Sequence, residues 1–289
     1  MDDSSEMLHM PREGASLVLS ETRASLVARA RKDAAGLMLR GEEPEFLTII
    51  GSENKSLNTA TCDADALFKI GLKYYDGDGV AYDHALASFW FSKAADQDHT
   101  AAQYYLGMLF DIERDHISAT VWFQKAANRG YIRAQYRLGL QYGWGHGVPQ
   151  DATESAIWCH RAAHQGYRPA QYMLGALYAN GNGVSKDYTQ SAFWYRKAAD
   201  QGHFDAQQHI GLLYYEGEYV ERDYAEAFFW LDIRCRRGGS YDNICGDRSI
   251  AAAKKLTAGQ RVEVLRRIDQ WLAAHSLDEE RKVRYEDKW

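Results

Sequence analysis

The chain has 289 residues, of which 46% are hydrophobic and 13% aromatic, and its formal net charge is −6. This composition disfavours nucleic acid as the main partner, because such binding needs a clustered basic surface and no long run of one sign occurs here. No segment approaches the roughly 18 consecutive apolar residues of a transmembrane helix, so we expect no membrane span.

The first 63 residues lie outside the pattern that governs the rest of the chain. Between Ser20 and Arg40 apolar side chains recur at helical spacing and Gly41 follows, which predicts one helix. We expect this helix to cap the first repeat or to await a partner. The opening residues are acidic where a secretory signal would be basic, and the four cysteines do not recur with the repeat. These features predict a cytoplasmic, reduced protein.

Three features recur five times after residue 63: a glycine that follows Leu or Ile, a tryptophan, and an aspartate seven residues before each tryptophan. Neighbouring glycines are 36, 32, 36 and 36 residues apart. The glycines are Gly71, Gly107, Gly139, Gly175 and Gly211, the tryptophans are Trp90, Trp122, Trp158, Trp194 and Trp230, and the aspartates are Asp83, Asp115, Asp151, Asp187 and Asp223. This periodicity predicts a helical repeat protein.

Each unit has the pattern of two short amphipathic helices joined by a turn. In the fourth unit Ala170, Leu174 and Tyr178 fall on one face of the first helix. A glycine inside a helix costs about 1 kcal/mol relative to alanine, so we expect the recurrent glycine to let the paired helix approach closely. The aspartate fits an N-cap of the second helix, and we expect the tryptophan to lie in the core.

Two parts of the array depart from this plan. The second unit lacks four turn residues between Gly107 and Asp115, which predicts a tight turn. After the fifth unit, Thr257 and Gln260 fit a capping box that starts a closing helix. The apolar stripe predicted for that helix consists of Val262, Leu265, Ile268 and Leu272.

The fourth unit, AQYMLGALYANGNGVSKDYTQSAFWYRKAADQG from Ala170 to Gly202, resembles a Sel1-like repeat, a relative of the tetratricopeptide repeat. The resemblance implies an all-α, right-handed solenoid of helix-turn-helix repeats. It also implies an adaptor or scaffold in protein assemblies, of the kind found in bacterial signalling, envelope regulation or host interaction. We therefore expect an extension with one helix at 1–63, five repeats at 64–240, and a capping helix with a charged tail at 241–289.

One cluster resembles a metal site: Cys159, His160 and His164, with the two histidines one helical turn apart. The equivalent places in the fourth unit hold Tyr195, Arg196 and Asp200. That variation indicates solvated positions, and no third or fourth ligand is evident. We therefore expect no metal.

The Gly-x-Gly turns do not predict a phosphate site, because they recur as a structural hairpin and no Lys-Ser/Thr follows them. Cys235 and Cys245 could pair across their loop. Cysteine-rich relatives of the Sel1 type carry one disulfide per repeat, a register that is missing here, so free thiols are favoured. No nucleophile, base and orienting residue can be assembled from the sequence. We expect no catalytic residue and no cofactor.

The most variable positions of the repeat lie on the first helix, two residues before, two after and five after the recurrent glycine. They share the face opposite the core, and the resemblance places first helices on the concave side of a solenoid, where repeat proteins bind partners. An ordinary solvated face is the plainer alternative. The predicted partner-binding residues are Lys69, Lys73, Tyr105, Leu109, Arg137, Gln141, Trp144, Met173, Leu177 and His209.

The leading hypothesis is a non-enzymatic scaffold or adaptor that holds a protein or peptide segment on the concave face. A regulator that binds a glycan or the cell wall is the first alternative, since exposed Tyr and Trp also suit sugar stacking. A hydrolase of the β-lactamase-like, cysteine-rich Sel1 type is the second. The lack of cysteines in register and of a secretion signal counts against it.

Overall fold

A computed structural model gives the structure of the protein over residues 63–217, 219–238 and 243–275. These residues form twelve α-helices and no strand. The helices of the five repeats are α1 (Ala64–Asp76), α2 (His84–Ala95), α3 (Thr100–Ile112), α4 (His116–Asn128), α5 (Ile132–Trp144), α6 (Ala152–His164), α7 (Arg168–Asn180), α8 (Tyr188–Asp200), α9 (Phe204–Glu216) and α10 (Tyr224–Gly238). Two more follow, α11 (Asn243–Lys254) and α12 (Ala258–Ala274). Within the described ranges no helix has the length and apolar character needed to cross a bilayer.

The chain divides into two compact units, Met1–Gln97 and Asp98–Trp289. In the first, α1 packs on α2 around the buried side chains of Leu67 and Phe91. In the second, α3 to α10 form four helix pairs in which every helix packs on the next, and α11 and α12 close the row. The predicted all-α solenoid of helix pairs is thus confirmed. The helix predicted between Ser20 and Arg40 lies outside the described residues.

The repeated aspartates cap the second helices as predicted. The Asp151 carboxylate accepts hydrogen bonds from the backbone N–H groups of Thr153 and Glu154, at 2.9 and 3.1 Å. Asp83, Asp187 and Asp223 accept the equivalent pairs. After the shortened turn, Asp115 accepts from the N–H of Ser118. Each cap pairs N–H groups that the first turn of a helix leaves without partners.

The repeated glycines allow the two helices of a unit to touch, also as predicted. A Cβ on Gly175 would lie 2.7 Å from the Tyr195 ring, and one on Gly139 would lie 2.7 Å from the Cys159 sulfur. Gly71, Gly107 and Gly211 face Phe91, Phe123 and Leu231 in the same way. Cys159 is therefore fully buried, and our interpretation of its position as solvated was wrong. Burial also raises the pKa of the Cys159 thiol to about 12.

Four of the five repeat tryptophans are buried in the core: Trp90, Trp158, Trp194 and Trp230. Trp122 is the exception, because it is only half-buried and the Lys125 ammonium lies 3.9 Å from the centre of its ring. The prediction that every repeat tryptophan is a core residue is thus wrong for the shortened second unit.

The second glycine of the turn has a role in stacking the repeats. Gly147 and Gly183 have φ of +73° and +71°, which L side chains rarely adopt. A Cβ on Gly147 would overlap the backbone carbonyl of His116, and one on Gly183 would overlap that of Ala152. His116 and Ala152 are the first residues of α4 and α6, the second helices of the preceding repeats. The turn of one repeat therefore contacts the start of the second helix in the repeat before it.

The carboxyl-terminal helices cover the last repeat. The capping box of Thr257 and Gln260 is present as predicted, whereas α11 was not predicted. The predicted apolar stripe of α12 is wrong in part, since Val262 is 68% exposed and Leu265 also faces solvent. Val264 and Ile268 are the buried pair, because α12 presents that face to α10.

Cys235 and Cys245 are buried, and both pack in one cluster with Leu231. The favoured prediction of free thiols stays a prediction.

Candidate interaction surface

The predicted partner-binding residues differ in how much surface they offer. Four are exposed and three are half-buried. The exposed ones are Lys69, Lys73, Trp144 and His209, and the half-buried ones are Tyr105, Arg137 and Met173. The remaining three, Leu109, Gln141 and Leu177, are buried, with at most 8% of each side chain exposed. We call the side of α3, α5, α7 and α9 that carries these positions the first-helix face. It offers fewer exposed residues than the spacing predicted.

Gln141 is buried because it is hydrogen-bonded to the preceding repeat. Its Nε2 donates to Asp111 Oδ1 at 3.0 Å, and the same oxygen lies 2.9 Å from His116 Nδ1. The short turn after α3 puts the first residue of α4, His116, directly beside the end of α3. Asp111 and His116 were not predicted, although the missing turn residues were the signal that this place is unusual.

Trp144 ends a row of rings that begins at this Asp–His pair. The His116 ring stacks on the His146 ring with centroids 4.6 Å apart, and His146 lies 5.6 Å from the Trp144 ring. The indole is 59% exposed, the largest exposed aromatic surface of α5. A ring of this size that is left in water at the end of a fixed row is typical of a contact residue.

Tyr105 lies beside an arginine that the sequence analysis missed. Burial alone would lower the pKa of the Arg133 guanidinium, yet the hydroxyls of Tyr131, Tyr104, Tyr167 and Tyr105 raise it above its usual value. Burial raises the pKa of Tyr131 to about 12, so this phenol is neutral at physiological pH. The Tyr104 ring is 5.2 Å from Tyr131 and 5.5 Å from Tyr105. An arginine held among tyrosines is a frequent composition of binding hot spots.

A cleft of about 390 Å³ lies between α7, α8 and α9. It contains the predicted residue His209 together with aromatic and polar side chains that were not predicted. Its lining consists of Tyr172, Ala176, Ala179, Asn180, Tyr188, Ser191, Tyr195, His209, Leu212, Leu213 and Glu216. Tyr172 was not among the predicted partner-binding residues, so its place in a cleft was missed.

The cleft walls are stacked rings that carry no charge at neutral pH. The His209 ring stacks on Tyr195 at 4.9 Å, and Tyr172 stacks on His203 at 4.3 Å. Burial lowers the pKa of His203 to about 4 and lowers that of His209 as well. Burial also raises the pKa of Tyr195 to about 12. The charged group of the lining is then the exposed carboxylate of Glu216, so the cleft is an aromatic pocket with an acidic rim.

No group of three or more histidine, cysteine, aspartate or glutamate side chains in the described ranges is placed to hold a metal ion. Where the end of α3 meets the start of α4, the Asp111 carboxylate lies 2.9 Å from the His116 imidazole. Their neighbours are Gln141 and the His146 ring, which suit recognition by hydrogen bonding and stacking.

Comparison with known proteins identifies the repeats. The Sel1 repeat model matches residues 64–99, 100–131, 132–167, 168–203 and 204–238. A solved Sel1 repeat protein from Oxalobacter formigenes is 29% identical, with a TM-score of 0.60, over 78% of this chain and 66% of that protein. The solved c5321 of uropathogenic Escherichia coli, a protective antigen with an SLR fold, is 27% identical, with a TM-score of 0.48, over 83% of this chain and 60% of that one.

The chain thus spans less than two thirds of the length of either solved protein. No curated protein sequence matches it. The five matched repeats cover residues 64–238 without interruption, which is well over half of the 289 residues. The chain belongs to the Sel1 repeat family.

Proposed function

We propose that this protein is a non-enzymatic adaptor that binds an extended segment of a partner protein along the first-helix face of Asp98–Trp289. Sel1 repeats generally mediate protein interaction, but a fold alone does not establish a function. The observation that carries the proposal is the aromatic cleft between α7, α8 and α9, whose lining residues Asn180 and Glu216 occupy the repeat position of the exposed Trp144.

The chemistry of the cleft suits one large side chain of a peptide. Its volume of about 390 Å³ lies at the small end of the range of ligand pockets, roughly 300–1,000 Å³. Tyr172, Tyr195 and His209 form walls that are uncharged at neutral pH, and apolar contact is therefore the main attraction. Asn180 and Glu216 line the same cleft and can pair with the polar backbone of the bound segment.

Trp144 supplies a second anchor on an earlier repeat, and Arg137 lies half-buried on the same helix. Large aromatic rings and arginine dominate binding energy at interfaces, while surrounding contacts mainly exclude water. A peptide that fills the cleft and continues over α5 would contact both anchors. Such a segment gains affinity from two sites joined by one backbone.

The test starts with peptides selected from a random display library on the wild-type protein. Their affinities are then measured by calorimetry for wild type, for His209→Ala, and for Arg137→Glu combined with Trp144→Ala. We expect each change to weaken binding at least tenfold. For the double variant we expect about 30-fold, which corresponds to 2 kcal/mol.

Ile157→Ala and Phe193→Ala are matched controls, because these side chains are exposed and apolar but lie on second helices. Unchanged affinity in these controls, with helical circular dichroism preserved in every variant, would support the proposal. Peptides that bind all variants equally would contradict it. A glycan array in which sugars bind and depend on Trp144 would also contradict it, in favour of the glycan alternative.

A further inference from the structure

Two histidine side chains on α6 meet outside the first-helix face. His160 and His164 lie one helical turn apart, and their Nε2 atoms are 3.0 Å from each other, within hydrogen-bonding distance. Both side chains are exposed, so a dissolved ion can reach the space in front of them. Residues four apart on a helix share a face, but the convergence of the two ring nitrogens also depends on the orientation of the rings.

A buried tryptophan of the next repeat flanks both rings. The Trp194 ring meets the His164 ring edge to face at a centroid distance of 4.9 Å, and the His160 ring at 6.3 Å. Trp194 is held in the core with 5% of its side chain exposed. The intervening Arg161 lies over the Trp158 ring at 4.3 Å. The histidine pair is therefore supported by packing, which reduces the rotamer freedom lost when a ligand binds.

The distance between the two nitrogens allows both of them to bind one ion. Metal–nitrogen bonds to histidine are about 2.0–2.1 Å long. Two nitrogens 3.0 Å apart then subtend an angle of about 90° at the metal, which is the angle between neighbouring ligands in square-planar and octahedral complexes.

We propose that His160 and His164 form a two-histidine binding site for a divalent transition-metal ion that prefers right-angled ligands, with Cu²⁺ bound most tightly. Copper(II) combines that geometry with the highest affinity of the first-row divalent ions for nitrogen ligands. Water or a side chain from a partner completes the coordination. From the sequence we expected no metal, because these positions vary between repeats and no third or fourth ligand is evident.

The experiment uses the full chain and Cu²⁺ alone, titrated by calorimetry and followed by electron paramagnetic resonance. Wild type should bind one Cu²⁺ more tightly than any other Cu²⁺ it takes up, with splitting from two equatorial imidazole nitrogens. His160→Ala and His164→Ala should each weaken that site at least tenfold. The two changes together should weaken it little further, because either one removes the chelate.

His116→Ala serves as the control, since His116 also lies near a second histidine ring but stacks on it instead of converging through nitrogen. It should leave the Cu²⁺ affinity unchanged. The exposed positions of His160 and His164 allow substitution without loss of the core, which circular dichroism can verify. The proposal is overturned if the single variants bind Cu²⁺ within twofold of wild type, or if Zn²⁺ binds the pair more tightly than Cu²⁺.

Discussion

Gln201 donates a hydrogen bond of 2.7 Å from its Nε2 to the Oε1 of Gln171, thirty residues earlier in the chain. Gln171 in turn donates to the backbone carbonyl of Ala163 at 3.2 Å. The same relationship joins Gln165 to Gln135 one repeat before, also at 2.7 Å. The bond between Gln201 and Gln171 joins the two ends of one repeat, and the buried bond from Gln171 to Ala163 crosses to the preceding repeat. The repeats are thus coupled by directional bonds as well as by apolar packing.

Gln171→Ala should therefore destabilise the protein by about 1–3 kcal/mol, because it removes two hydrogen bonds that each contribute about 0.5–1.5 kcal/mol. Chemical denaturation of the single variants and of the double variant Gln171→Ala, Gln201→Ala measures the coupling. A coupling free energy near zero would contradict the role of this pair.

Trp158 tests the core of the repeat. Trp158→Ala should cost roughly 3–5 kcal/mol of unfolding free energy, the usual effect of emptying a large aromatic site. Trp122→Ala is the matched control and should cost clearly less, since Trp122 is only half-buried. Thermal melting compares the two, and equal losses would show that burial does not set the cost.

Gly175 tests the contact between paired helices. Gly175→Leu should destabilise by about 1–3 kcal/mol in spite of the better helix propensity of leucine, because even its Cβ would lie 2.7 Å from the Tyr195 ring. Gly259→Ala on α12 is the opposite control, because a Cβ there meets nothing within 4 Å. That change should leave stability equal or raise it by up to about 1 kcal/mol. A stabilised Gly175→Leu protein would refute the close approach.

His203 predicts a pH dependence of stability. Burial lowers its pKa to about 4, with Arg168 and His209 adding to the effect and Asp205 opposing it. The unfolded chain has the ordinary value near 6.5, so it binds more protons between pH 6.5 and pH 4. The titration of His203 does not affect the free energy of unfolding above pH 6.5. As the pH falls from 6.5 to 4, it lowers that free energy by about 3 kcal/mol.

Tyr131 and Tyr167 stand in the place of His203 in the two preceding repeats, so His203→Tyr is a substitution that the scaffold already accepts. Urea denaturation at pH 7.5 and 4.5 should show a smaller loss for this variant than for wild type. The carboxylates titrate in both proteins, and their effects cancel in the comparison. An identical loss in the two would contradict the assignment to His203.

The sequence predicted the repeated parts of the fold because each of them recurs. Asp151 and Gly175 could be assigned as cap and contact positions from five equivalent cases in one chain. Val262 was misassigned because α12 occurs once, and the face it buries is decided by α10 and not by its own pattern. Helix α11 was missed for a related reason, since its burial comes from tertiary packing on α10 and no repeat signals it.

The candidate surface was predicted only in part, since spacing identifies a face but not its contacts. Trp144 and His209 are exposed as expected, whereas Gln141 is buried by its bond to Asp111 across 30 residues. The cleft depends on Tyr188 and Tyr195 of a second helix. No pattern within the first helices alone could have indicated these two residues.

The central claim is that a partner segment lies along the first-helix face, and site-specific photo-crosslinking tests it most directly. A benzophenone amino acid is placed at Asn180, which lines the cleft, and in a second protein at Ile157, which is exposed on a second helix. We predict that irradiation with a selected peptide gives a covalent adduct from position 180 and none from position 157. An adduct from position 157 with none from position 180 would contradict the account.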